Sequence, residues 1–302
     1  MKRAHLLHNP GAGEKDFSKN ELMELIGKAG FECTYSSVKK ENWDKFEDET
    51  DFLVIAGGDG TVRRTAKALL KRKVLDKQFP LALLPHGTAN NVAGTLNISG
   101  TVHDIIPTWH KSILKKFDVG KIGGLPDNMF FLEAFGFGIF PKLMKVMNKM
   151  QDDVKESRED KIKMARAVLY DVVLSYRPRA CKIVADGVDH TGKYVMVEIM
   201  NTRSIGPNLE LSPASDPGDG EFEIVLIPEN HQKKFEEYLL NLINGKEDNY
   251  SFTTLKAKKI QVLWEGKDLH ADDETIKIDK PVEVNIEVRP GLLEFLVTNP
   301  ES

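Results

Sequence analysis

The run Phe52-Leu53-Val54-Ile55 stops abruptly in Gly57-Gly58-Asp59-Gly60, and Thr61-Val62-Arg63-Arg64 opens a helical pattern. A short, wholly apolar run reads as a buried strand, and a strand feeding directly into a helix is the joint of a βαβ unit. The first third of the chain repeats that joint. "RAHLLHN" reads as a strand and "PGAG" as its turn. "SKNELMELIGKAG" reads as a helix, with Ser18 and Glu21 spaced as a capping box and Gly30 just past its end. "FECTYSSV" is a further strand, "ENWDKFED" a short helix, and "PLALLPHGT" another buried strand. This rhythm implies an open, mostly parallel sheet, which binds ligands beyond the carboxyl ends of its strands. "PGAG", "GGDG" and "PHGT" all fall at such ends.

After about residue 118 the texture changes. "MFFLEAF", "ACKIVADG", "KYVMVEIMN", "EFEIVLIPE", "KKIQVLW" and "PVEVNIEV" are short strands between turn signals. Val282, Val284, Ile286 and Val288 alternate with polar residues, as in a half-buried antiparallel strand. One long helical stretch over about 142–175 and a shorter one, "HQKKFEEYLLNLING", interrupt them. The expected fold is α/β with two domains. Residues 1–118 form an α/β nucleotide-binding domain with a mostly parallel sheet, and 291–302 pack back on it. Residues 119–290 form a β-rich, antiparallel-sandwich domain. The 302 residues suffice for two cores.

Composition narrows the function. A net charge of −4 argues against a chain whose affinity comes from blanketing nucleic-acid phosphates, though not against a local basic cleft. Cys33 and Cys181 lie far apart without CxxC spacing, so neither a disulfide framework nor a zinc site is indicated. The amino terminus has too short an apolar run for a signal peptide, and no stretch approaches the roughly 20 apolar residues of a membrane span. A cytoplasmic protein is expected.

The glycine turn itself reads as an anion site. Free N–H groups at a helix start point outward, and glycine lets phosphate oxygens approach the backbone. Asp59 would repel phosphates unless a cation intervened, and Mg²⁺, which takes oxygen ligands and rides on nucleotide phosphates, is the usual one. The alternative is a tight turn in which Asp59 caps the helix that follows.

"HNPGAG" at 8–13, "GGDGT" at 57–61 and "PHGTANNVA" at 85–93 together resemble the diacylglycerol kinase catalytic-domain family. That family includes sphingosine kinases and bacterial lipid kinases. The resemblance continues through "FDVGKIGG…FFLEAFGFG", "SPASDPGDGEFEIVLI" and "LHADDETIKIDKPVEVNIEV", which favour a lipid kinase over an NAD kinase. It implies two domains with the active site in the cleft between them. It also implies nucleotide contacts from Asn9, Gly11, Gly13, Gly57, Gly58, Asp59, Gly60, Thr61, Thr88 and Asn90. Asn91 stands where the family's "GTxND" has aspartate; a helix N-cap by Thr88 is the plainer reading of that loop. The family's "DGE" base falls on Asp272, supported by Glu274, with Asp59 as the third catalytic residue. Asp273 replaces the family's glycine, and an acidic surface loop is the competing reading. Asp118 resembles the aspartate linked through water to the Mg²⁺ network. Asp219, with the carbonyls of Asp216 and Glu221, matches a structural Mg²⁺ site, or else a bare "DG" turn. Lys161 matches a basic residue that reaches the phosphates from the second domain, against an ordinary solvated helix face. Arg63 and Arg64 replace the usual "NE" and read either as contacts to phosphates or anionic head groups or, more plainly, as exposed helix arginines.

The resemblance therefore implies an enzyme that uses ATP and Mg²⁺ to phosphorylate the hydroxyl of a membrane lipid such as diacylglycerol. It would act from the cytoplasm as a peripheral protein at the inner face of the membrane, with a homodimer left open. Met144, Met147 and Met150 with Leu143 are either acyl-chain contacts or core. Phe140, where sphingosine kinases carry a head-group aspartate, argues against a sphingosine-type amine. Two other readings stay open: a kinase of a small soluble acceptor, like an NAD kinase, and a nucleotide- or lipid-binding regulator without catalysis.

Overall fold

The computed structural model describes residues 1–12, 17–73, 75–125, 129–150, 157–246 and 251–299. The chain divides into two compact units, Met1–Phe117 with Gly291–Ser302, and Asp118–Pro290.

The first unit contains β1 (Arg3–His8), α1 (Lys19–Lys28), β2 (Glu32–Ser37), β3 (Phe52–Gly57), α2 (Asp59–Leu70), β4 (Leu81–Pro85), α3 (Asn91–Thr95) and α4 (Val102–Thr108). Its strands run parallel in the order β2-β1-β3-β4, and Phe295 near the carboxyl terminus pairs in parallel with Leu81. All six residues of β3 are buried, as expected of a central strand covered on both faces. The Ser18–Glu21 capping box forms, and Gly30 follows α1 with φ +89°, a conformation that suits glycine. One expected element is absent: residues 41–44 are turns rather than a helix, with Asn42 in the left-handed region. The segment "ENWDKFED" has Trp43 as its one buried apolar anchor, too little to fix a helical turn.

Strand β5 (Ser112–Gly123) carries the chain into the second unit. There follow β6 (Met129–Phe131), β7 (Ala134–Gly138), α5 (Ile139–Met147), α6 (Arg158–Ser175), β8 (Arg179–Ala185), β9 (Val188–Asp189), β10 (Gly192–Met200), β11 (Ser204–Ile205), β12 (Leu209–Glu210), β13 (Phe222–Pro228), α7 (Gln232–Ile243), β14 (Thr253–Ala257), β15 (Lys259–Trp264), β16 (Asp268–Ala271), β17 (Glu274–Lys277) and β18 (Val282–Thr298), whose end returns to the first unit. The strands β17-β16-β7-β10-β8-β15-β18 pair antiparallel in that order, and β13 joins β10 and β14.

Alternate residues of β13 feed two cores. Phe222, Ile224 and Leu226 join one with Phe135, Phe137 and Trp264. Val225 and Ile227 join the other with Leu143, Leu169 and Phe235 of the helices. The expected helix over 142–175 is two helices: α5 ends at Met147 and turns follow at 148–150, while α6 starts from a Ser157 cap. Among the described residues no helix is long and apolar enough to cross a membrane.

Candidate active site

In the first unit three loops at the carboxyl ends of β1, β3 and β4 are tied to one another. The Asn9 side-chain amide donates to Thr61 Oγ1 at 3.1 Å, and its carbonyl accepts the Gly11 N–H at 3.2 Å. Its backbone N–H donates to Ala56 O. The first motif is thereby latched to the glycine turn.

The turn is bare because its neighbours leave no room. A Cβ on Gly57 would lie 2.5 Å from Thr61 Oγ1, and one on Gly58 would lie 2.7 Å from Gly87 Cα. Gly60 is exposed on the first turn of α2. Asp59 opens α2, and its carboxylate reaches the next loop. Oδ2 accepts Asn91 N–H at 3.0 Å and Oδ1 accepts Val92 N–H at 3.1 Å. Asp59 therefore caps α3, not the helix that follows it. Burial pushes its carboxyl up from the ordinary range, opposed by these amides.

Asn90, with φ +54°, is the N-cap residue of α3, and its side chain bonds both the N–H and the carbonyl of Gly87. Thr88 is exposed and is not the cap, because the left-handed residue that starts the helix comes two positions later. Asn9, Gly11, Gly57, Gly58, Asp59, Thr61, Asn90 and Asn91 are thus brought together. Gly13 lies outside the described residues.

The second unit builds its own site around Asp272. Strands β16 and β17 form a hairpin with Asp272 and Asp273 as its two-residue loop, and Ala271 pairs with Glu274. The left-handed residue is Asp272, with φ +50°, rather than Asp273, which stands at the family's glycine position. Asp273 and Glu274 are exposed, and Asp272 is buried.

The Asp272 carboxylate sits in a cradle of consecutive backbone amides between β6 and β7. Oδ1 accepts Leu132, Glu133 and Ala134 N–H at 3.0, 2.8 and 3.2 Å, and Oδ2 accepts Leu132 at 3.0 Å. The Asp272 N–H donates to Ala134 O at 2.8 Å. A non-glycine residue in the left-handed region carries strain of order 1–3 kcal/mol, less for Asp, and persists where its surroundings over-determine it. Here the backbone and the carboxylate are both fixed.

Asn201, absent from the sequence reading, supports the cradle from behind. It is buried at the end of β10, and its side-chain amide donates to Leu132 O and Asp118 O at 2.8 and 2.9 Å. Its N–H donates to Glu133 O. The only signal for it was a polar residue closing the apolar run "YVMVEIMN".

Asp118, 1% exposed, turns its carboxylate into the same unit: Oδ2 accepts Gly220 N–H at 2.7 Å, and its own N–H donates to Pro217 O. It thereby pins the 216–221 loop. Within that loop Asp216 Oδ1 accepts Gly218 N–H and Asp219 Oδ1 accepts Glu221 N–H, both at 3.0 Å. Lys256 Nζ lies 2.8 Å from Asp219 Oδ2 and 3.4 Å from Glu223 Oε1, and Lys258 lies 3.8 Å from Glu221. The hydrogen bond to Asp219 raises the Lys256 ammonium, while burial raises the Glu223 carboxyl. The Asp219 oxygen that a divalent ion would need already holds an ammonium, and the Asp216 carbonyl accepts Asp219 N–H at 3.3 Å. As folded, the Lys256 ammonium joins Asp219 to Glu223. Among the described residues no group of three or more His, Cys, Asp or Glu is placed to hold a metal.

The remaining candidates scatter. Lys161 is partly exposed on the first turns of α6. Arg63 is buried at 8% exposure, because its position on α2 turns it inward, whereas Arg64 lies over the Trp43 ring at 5.2 Å. Leu143 is core; Met147 packs against that core and Met150 is 47% exposed. Phe140 is buried, with its ring centroid 6.3 Å from that of His270.

The diacylglycerol kinase catalytic domain matches residues 3–122, and the YegS C-terminal NAD kinase beta sandwich-like domain matches 145–297, about half the chain. A Bacillus subtilis (strain 168) protein named diacylglycerol kinase is 25% identical over 91% of this chain and 90% of its own length. A Staphylococcus aureus (strain MSSA476) protein, provisionally named a lipid kinase, is 25% identical over 96% of this chain and 92% of its own. The crystal structure of a diacylglycerol kinase from Bacillus anthracis shares the fold, with a TM-score of 0.72 at 20% identity over 99% of this chain and 98% of that one. An α/β domain with latched glycine loops, followed by a β-sandwich domain presenting a cradled aspartate, agrees with those matches: the chain belongs to the diacylglycerol kinase catalytic-domain family of phosphotransferases.

Proposed function

We propose that this enzyme transfers the γ-phosphate of Mg-ATP to the hydroxyl of a membrane lipid such as diacylglycerol, with Asp272 as general base. The observation that carries the reading is the backbone cradle that holds the Asp272 carboxylate. The N–H groups of Leu132, Glu133 and Ala134 all donate to it, which fixes one buried carboxylate in a single orientation at the position of the family's base. The names of the relatives from Bacillus subtilis and Staphylococcus aureus support a lipid as the acceptor.

In this reading Asn9, Gly11, Gly57, Gly58, Gly60, Thr61, Thr88 and Asn90 receive the nucleotide, and bound Mg²⁺ arrives with its phosphates as part of the substrate. Asp59 holds two of the nucleotide loops together. Lys161 adds positive charge toward the phosphates, and Glu274 supports the base. The lipid O–H bond breaks as its oxygen forms a bond to the γ-phosphorus. The proton goes to the Asp272 carboxylate, the bond from the γ-phosphorus to the bridging oxygen breaks, and ADP leaves. Positioning and charge stabilisation supply most of such a barrier reduction, and a base contributes about 10²–10⁴-fold. The enzyme would work from the cytoplasm at the membrane surface, because its acceptor partitions into the bilayer.

The test is incubation with γ-labelled ATP, Mg²⁺ and mixed micelles of total lipid extract, counting label in the organic phase. Organic-phase label supports the reading. Label confined to a soluble acceptor such as NAD would replace it with the soluble-substrate kinase, and Mg-ATP binding without turnover on any acceptor would replace it with a regulator.

A further inference from the structure

Behind the Asp272 hairpin lie two buried ionisable side chains with no part in the chemistry above. Glu198 on β10 and His270 on β16 are both register partners of the same residue, Gly136, on the strand between them. Side chains two strands apart are ordinarily separated by the one in the middle. Here the middle residue has none, and a Cβ on Gly136 would collide with the Glu198 carboxyl. Across that gap Glu198 Oε2 and His270 Nε2 meet at 2.9 Å, with the side chains 0% and 1% exposed.

The other ring nitrogen decides the hydrogens. His270 Nδ1 lies 2.9 Å from the carbonyl oxygen of Asp272, and a carbonyl only accepts, so Nδ1 carries a hydrogen and donates. One hydrogen remains for the Oε2–Nε2 contact. Glu198 Oε1 is buried without a hydrogen-bond partner, an environment hostile to a charged carboxylate, and burial raises the Glu198 carboxyl accordingly.

We propose that Glu198 and His270 are positioning residues for the base: a Glu198 O–H donates to His270 Nε2, and His270 Nδ1–H donates to the Asp272 carbonyl. This two-bond chain holds the left-handed backbone from which the Asp272 carboxylate enters its amide cradle. No proton leaves the chain during turnover. The inference rests on Asp272 being the base. It adds that Gly136 is required because the pair closes over it.

The test uses the full chain in four variants, with kcat and KM for lipid and ATP, thermal melting, and ¹⁵N-histidine spectra. His270→Phe keeps volume but removes the donor; Glu198→Leu removes the bond to Nε2; Glu198→Gln restores a donor to Nε2 without a titrating group. Displacing a reacting group by about 1 Å can cost on the order of 10²-fold. The expected result is kcat lower by about 10- to 100-fold in His270→Phe and Glu198→Leu at unchanged KM for ATP, and Glu198→Gln within about threefold of wild type. The wild-type spectrum should show a neutral His270 with hydrogen on Nδ1 and a bare, accepting Nε2.

The inference is overturned by Glu198→Gln as impaired as Glu198→Leu, or by a spectrum in which both nitrogens of His270 are protonated. A folded His270→Phe with wild-type kcat does so as well. Asp272→Asn is the fourth variant: if it is inactive while folded His270→Phe is not, positioning fails and the base stands. If Asp272→Asn keeps wild-type turnover, the base assignment fails and with it this positioning role. Should His270→Phe or Glu198→Leu not fold, Glu198→Gln turnover and the wild-type spectrum decide.

Discussion

Replacing Asp59 by asparagine tests whether that aspartate is a clamp between loops or a group that acts on the nucleotide's cation. Its two oxygens each take one amide of α3, at 3.0 and 3.1 Å. Asparagine offers one acceptor, so one amide is left facing an NH₂ group and the surviving bond becomes neutral. A hydrogen bond to a charged group is worth about 1.5–3 kcal/mol, against about 0.5–1.5 for a neutral one. Relief of the burial cost that raises the Asp59 carboxyl offsets part of that loss. The net expectation is about 2 kcal/mol, or roughly 4 °C in the melting transition of a chain this size. Mg-ATP should also bind more weakly, by about tenfold for each 1.4 kcal/mol that the ligand must spend reordering the loops. Differential scanning calorimetry and titration calorimetry on the same sample read both quantities. Lost ATP affinity with an unshifted melting transition would refute the clamp and return Asp59 to a direct role at the phosphates.

Other outcomes follow from the second unit. Lys256→Met leaves Asp219 and Glu223 without their ammonium, so Mg²⁺ should raise the melting temperature of the variant; in wild type it should shift it by less than about 1 °C, surface pairs being worth about 0–1 kcal/mol. Asp273→Gly should leave kcat within about twofold, because the residue is exposed and the left-handed position is Asp272. The Glu198–His270 pair predicts a pH dependence, with the Asp272 carboxylate the further titratable group that acts on His270. Both folded values are raised, so above about pH 6.5 the unfolded histidine has lost its proton while the folded pair keeps one. Stability contributed by the pair is then lost as pH rises through the folded value, at up to about 1.4 kcal/mol per pH unit. Denaturant titrations should show that slope in wild type and not in Glu198→Gln.

The glycine loops of the first unit were legible because each is a local pattern: an apolar strand, a glycine turn, then a helix start. Glycine spacing does not say what excludes a side chain, and here Gly58 is bare because Gly87 packs on it, as much as for any ligand. Asp272 was legible by likeness to "DGE", yet its cradle is made of backbone amides 138–140 positions away, which no side-chain pattern encodes. Asn201 and Gly136 became meaningful only through strand register, a long-range property. Lys256 lies 37 positions from Asp219, and the "GDGEF" turn gives no hint that an ammonium arrives from another strand. Local chemistry was readable; whatever depends on which strands are neighbours was not.

The most direct test of the account is single-turnover phosphoryl transfer by Asp272→Asn. Asparagine can keep its carbonyl on the three amides that Oδ1 holds, and it tolerates the left-handed backbone, so what it loses is Oδ2. With γ-labelled ATP preloaded and lipid micelles added, the account predicts unchanged ATP affinity and transfer slower by about 10²–10⁴-fold. Transfer at the wild-type rate would mean that Asp272 is not the base.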